Sequence, residues 1–125
     1  MNLTELLVLA SKNELSERTA IEHARSHNLT LAQFANMFAL ALAQSYREQR
    51  YDFAFCDNAA NWLFGFMTDE TFLASNNNTL PSPAYDVYLA FDAGEYHHRG
   101  DDKDVVAEEK YTKPLILEIL SRQYV

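Results

Sequence analysis

The segment FDAGEYHHRGDDKD, residues 91–104, gathers five carboxylates (Asp92, Glu95, Asp101, Asp102 and Asp104) and two histidines within fourteen residues. Carboxylates and imidazoles at this density can hold a cation, move protons, or present negative charge to a basic partner. Spacing helps to separate these chemistries. His97 and His98 are adjacent, so on a helix their side chains diverge by about 100° and cannot chelate one ion. DDKD lacks the alternating oxygen ligands and central glycine of an EF-hand loop. Asp92 and Glu95 fall on different sides of a helical wheel. The stretch therefore reads as a docking edge rather than a metal centre.

Three further groups invite a chemical reading. His23 and His27, in HARSH, stand four residues apart, a spacing that holds zinc in HExxH helices. Here Ala24 follows His23 where that motif needs its glutamate, and no third ligand is indicated. Asp57 and Asn61 share the same spacing on a largely apolar stretch. They would either brace a loop or helix end from the interior or, with Asp57 exposed, receive a cation from a partner. Cys56 lies among apolar residues with no nearby cation to acidify it, so an inert core thiol is expected. The chain has no GxSxG, P-loop or GxGxxG, and its three glycines are Gly65, Gly94 and Gly100. No catalytic constellation assembles, and neither an enzyme nor a cofactor is expected.

The elements that must position these residues are helical. Asn2 or Thr4 can cap a helix carrying Leu3, Leu6, Leu7 and Ala10; Ser16 caps a second, which Asn28 stops. Thr30 caps a long third helix with Leu31, Phe34, Ala35, Phe38, Ala41 and Leu42 on one side. Asp52 opens a fourth, FAFCDNAANWLFGFMT, apolar over more than half its circumference and therefore expected at the centre of a bundle. Its polar strip is narrow: Ala54, Asp57, Asn58, Asn61 and Gly65. Residues 74–83 form a Ser-, Asn- and Pro-rich loop. A fifth helix is predicted from Ser82 as cap and Pro83 as first residue, running to about His98 and ended by Gly100. It turns Tyr85, Leu89, Asp92 and Tyr96 outward as one ridge. Gly94 within it implies close approach by a neighbouring helix, since glycine there costs about 1 kcal/mol against alanine. A short helical piece over 104–110 and a last helix from Thr112 and Pro114 complete the chain.

Residues 1–125 thus read as one all-α domain, a bundle of six or seven helices. A hydrophobic fraction of 48% supplies a core. The single cysteine cannot form an internal disulfide and suggests a reducing cytoplasm. The first residues read as a helix rather than a signal peptide, and no apolar run approaches the ~20 residues that span a bilayer. The net charge is −8, unevenly spread: residues 51–98 hold seven acidic side chains and no Lys or Arg. Such a block repels nucleic acid and anionic lipid and suits a basic protein partner.

A small, acidic, all-helical chain with DFAFCDNAANWLFGFM and YDVYLAFDAGEYHHRGDD resembles the immunity proteins of bacterial polymorphic toxin and contact-dependent growth inhibition systems. The resemblance implies a cytoplasmic protein that binds and blocks a cognate toxin domain, often a basic nuclease. From the residues themselves, Tyr85, Asp92, Tyr96, Asp101, Asp102 and Asp104 are expected to carry the contact, with Glu95 and Asp57 beside them. Two other readings compete. One is a metal-binding enzyme using His23, His27 and the 92–104 acids. The other is a homo-oligomeric structural protein, a homodimer hiding the ridge in a self-interface.

Overall fold

A computed structural model describes residues 1–123. Among them are seven α-helices: α1 (Leu3–Ser11), α2 (Glu17–Ser26), α3 (Leu31–Arg47), α4 (Phe53–Met67), α5 (Glu70–Ser75), α6 (Ala84–Ala93) and α7 (Lys113–Arg122). One π-helical turn, Glu108–Thr112, leads directly into α7. The first four helices begin where their caps predict. Asn2, Ser16, Thr30 and Asp52 each accept a hydrogen bond from the backbone N–H three residues on, filling a donor that the first helical turn leaves open.

With so few glycines, the helices end by another device. Asn13, Asn28 and Gln49, just past α1, α2 and α3, take left-handed backbone angles near φ 56–58°. Asn77 and Asn78 after α5 are left-handed too, at φ 53° and 58°. Each turn is closed by a backbone bond reaching back five residues: Glu14 to Leu9 at 2.8 Å, Leu29 to Ala24 at 2.8 Å, Arg50 to Ser45 at 2.9 Å and Asn78 to Leu73 at 2.8 Å. Asparagine tolerates this conformation better than other side-chain-bearing residues, so at four of these five positions it replaces the usual glycine.

The core forms around α4, which packs against α1, α3, α5 and α6. Its Cys56, Ala59, Ala60, Leu63, Phe66 and Met67 are buried, together with Phe34, Phe38 and Leu42 of α3 and Val87 and Phe91 of α6. The polar strip faces outward as expected: Ala54, Asn58, Asn61 and Gly65 are exposed, and Asp57 is half-buried.

Several expectations need correction. α5 lies where none was foreseen. Asp69 caps it and Phe72 is its one buried anchor, too little for a periodic signal in six residues. The predicted short helix at 104–110 is instead the π turn at 108–112. Pro114 has no N–H for the carbonyl four residues before it, so the wider turn precedes it. Thr112 does not cap α7 with its side chain; its hydroxyl crosses to the Ala90 carbonyl at 2.7 Å.

The corrections to α6 shape the site. α6 ends at Ala93, not near His98. Thr112 takes the Ala90 carbonyl and the His98 ring N–H takes that of Ala93 at 2.7 Å, so two of the open carbonyls find side-chain donors instead of another turn. Gly94 sits in the resulting crossing: a Cβ there would collide with Thr112 Oγ1 and lie 3.1 Å from Glu108 Cα. At the other end, Ser82 is not the cap. Its hydroxyl donates to the Asp86 carboxylate at 2.5 Å, while Asn36 of α3 accepts from the Ala84 N–H at 3.0 Å.

Candidate partner-binding surface

On the outer side of the α4–α6 pair, three aromatic rings lie nearly parallel. Phe64 stacks on Tyr88 with centroids 4.2 Å apart, and Tyr85 adjoins both at 6.4 and 6.3 Å. Tyr85 is therefore half-buried against its own fold rather than standing free. Leu89 remains 41% exposed and Tyr96 57% exposed. Because α6 stops at Ala93, Tyr96 belongs to the following turn and leans toward His98, centroids 5.5 Å apart. The predicted helical ridge is thus a short α6 face, Tyr85, Leu89 and Asp92, continued by a non-helical tyrosine.

Beside these rings the carboxylates gather. Asn61 of α4 donates to Glu95 Oε2 at 3.3 Å, bridging α4 to the turn after α6. Asp57, one helical turn before Asn61, has a buried Oδ1 with no hydrogen-bond partner. Burial, the hydrogen-bonded Glu95 carboxyl and the nearby Asp92 charge push the Asp57 carboxyl up to about 8. It therefore holds a proton near neutrality, since two adjoining carboxylates repel when both are charged. The Tyr88 hydroxyl is also raised, by burial and by Asp92 and Glu95. These shifts mark a local field that the fold creates and no Lys or Arg of residues 51–98 offsets.

The turn after α6 is organised from within by Asp101, which was expected on the docking surface. Its side chain is only 2% exposed. It accepts from the Tyr111 hydroxyl at 2.7 and 2.8 Å, the His98 N–H at 2.9 Å and Lys110 Nζ. These donors, Lys110 foremost, hold it well below the usual carboxylate range. His98 lies flat on Tyr111 at 3.7 Å, and the His97 ring N–H donates to the Val105 carbonyl at 2.7 Å. Asp101 braces the excursion and is not offered to a partner; Asp102 and Asp104 on the same excursion are exposed. Of the eight residues read from the sequence, Asp57, Asp92 and Glu95 are brought together, beside Tyr88.

The other chemical candidates resolve separately. His23 and His27 stack at 4.2 Å, and His27 Nδ1 lies 2.9 Å from the His23 carbonyl oxygen, hydrogen-bonded to its own helix. Burial and the His27 charge lower the His23 pKa. Among the described residues, no group of three His, Cys, Asp or Glu side chains is arranged to hold a metal ion. Cys56 is buried in the core, and burial together with nearby Asp52 pushes its thiol up to about 12, far from a reactive thiolate.

Two cavities lie beyond the sequence reading. A cleft of about 350 Å³ runs between α3, α4 and α7, where the buried Tyr46 donates to Glu108 Oε2 at 2.8 Å. A groove of about 670 Å³ lies over the polar strip of α4. That strip was visible as a composition; its far wall, from α1, the start of α2 and Asp69 before α5, was not. No model of a known family, no curated protein and no solved structure matches the chain.

Proposed function

We propose that this chain is a protein-binding inhibitor that docks on a basic protein in the cytoplasm and neutralises it, as the immunity proteins of bacterial toxin systems do for their cognate toxin domains. One observation carries the reading: half-buried Asp57 lies beside Glu95 and Asp92 with an unpartnered, buried carboxyl oxygen, and α6 with the turn after it exposes Leu89 and Tyr96. A partner's guanidinium or ammonium inserted there would supply the hydrogen bonds and charge that this fold withholds. Leu89 and Tyr96 add area that becomes buried on contact, tyrosine at little entropic cost. The cation-free span from 51 to 98 gives a negative field that speeds encounter with a positive surface.

Capture from the native host's lysate on the tagged chain tests this. A basic protein should be retained at low salt and released as ionic strength rises. Asp92→Asn and Tyr96→Ala should each weaken retention by about tenfold or more, the usual scale for anchor residues. The retained protein, produced alone in a cell, should stop growth, and co-production of this chain should restore it. Retention of no basic protein, or equal retention by both variants, would remove the proposal. A stable homodimer in light scattering, dissociated by Tyr96→Ala, would replace it with a self-interface.

A further inference from the structure

Two of the three glycines are explained by the fold. Gly94 must lack a Cβ for the Thr112 crossing, and Gly100 has φ +92°. Gly65 has neither reason. It lies within α4, its backbone is helical, and a Cβ added there would meet nothing within 4 Å. Glycine inside a helix weakens it relative to alanine, so the isolated chain bears a cost without a structural return. What Gly65 does have is a position on the floor of the groove of about 670 Å³, in line with Asn58 and Asn61 at helical spacing.

The walls of that groove have a definite chemistry. Glu17 at the start of α2 and Asp69 before α5 both line it, and the Glu17 carboxyl is raised by burial and by Asp69. Trp62 forms a fixed aromatic side, its indole N–H donating to the Leu15 carbonyl at 2.8 Å. Asn61, which lines the groove, donates to the Glu95 carboxylate beyond it. Lys12 is the one cation among the residues that line it. The Glu17 and Asp69 carboxylates and an indole face suit Lys and Arg side chains, and a floor without a Cβ lets another backbone come close.

We propose that the groove over Gly65 receives a lysine- or arginine-bearing helix of the partner protein, its backbone lying against α4 between the Glu17–Asp69 pair and Asn61. This deepens the reading above and rests on the partner being basic. The surface then extends from Leu89 and Tyr96 across Asn61 to α5, and Gly65 is kept for binding at the expense of helix stability.

The test uses isotope-labelled chain and, as probe, a lysine–alanine helical peptide of about 15–20 residues, long enough to hold helix alone. Amide resonances of residues 10–13 and 58–69 should shift on addition of the peptide and stay unmoved with a glutamate–alanine peptide. Gly65→Ala should melt a few degrees higher than wild type yet bind at least about tenfold more weakly. The Glu17→Gln, Asp69→Asn pair, which keeps an α5 cap, should bind more weakly and with less salt dependence. Unshifted groove amides, or unchanged affinity in Gly65→Ala, would overturn the proposal. Lysine-peptide shifts confined to Leu89, Asp92 and Tyr96 would remove the groove and leave the basic-partner reading standing. Shifts at neither surface, or equal binding of the glutamate peptide, would remove both.

Discussion

Asp57 shows how one side chain can be legible by type and illegible by role. Its position on the polar strip of α4 follows from helical spacing, but its company comes from a turn thirty-eight residues later, where Glu95 arrives. The folded state raises its pKa from 3.8 to about 8. Between those values the native chain holds a proton that the unfolded chain has lost, so this group makes stability fall as pH rises through the window. Below the window both states are protonated and above it both are ionised, so the slope ends. Asp57→Asn mimics the neutral form. Its melting temperature should match wild type near pH 4 and exceed it by a few degrees at pH 8, in thermal melts across pH 4–9. A difference that shrinks as pH rises would show that burial beside Glu95 does not govern this carboxyl. Asp101 is the counter-case, equally acidic in the sequence yet fully used by Lys110, Tyr111 and His98.

At the scale of elements, the starts of α1 to α4 were readable and the limits of α6 were not. Caps such as Thr30 with Gln33 are local: both hydrogen bonds of that box lie within four residues. The limits of α6 are long-range instead, set by Asn36 forty-eight residues upstream and Thr112 twenty-two residues after Ala90. Asn36→Ala should therefore cost about 1 kcal/mol in urea titration, the value of a helix cap, though it lies in the middle of another helix. Gly94→Ala should cost more, about 1–3 kcal/mol, because its methyl meets the Thr112 hydroxyl and the Glu108 backbone. Adding Thr112→Ala should recover part of that loss, a non-additivity expected only if the two residues touch. Additive losses would mean that Gly94 matters for some other reason.

For the whole molecule, folding decides where the charge lies rather than how much there is. Three of the four ion pairs among the described residues join exposed side chains, which contribute little. The acids of 51–98 have no Lys or Arg within that span, and Asp57, Asp92 and Glu95 are drawn together by the α4–α6 packing. Self-repulsion should then outweigh ion pairing. Raising ionic strength from about 0.01 to 0.15 M, which shortens the screening length from about 30 to 8 Å, should raise the melting temperature at pH 7. The rise should be smaller in an Asp92→Asn, Glu95→Gln variant. A fall with salt would mean that attraction prevails.

The sequence by itself determined the helical class, the central place of α4, its outward polar strip, the capped starts of α1 to α4 and the absence of cations from 51 to 98. All of these follow from periodicity, local hydrogen bonding or simple charge, none of which needs a distant residue. Only the tertiary structure decided that α6 stops at Ala93, that Asp101 turns inward, that Asp57 meets Glu95, and that Gly65 looks onto an open groove. Those outcomes depend on which helices lie side by side, and adjacency arises from burying the whole apolar surface at once, a property that no short window of residues contains.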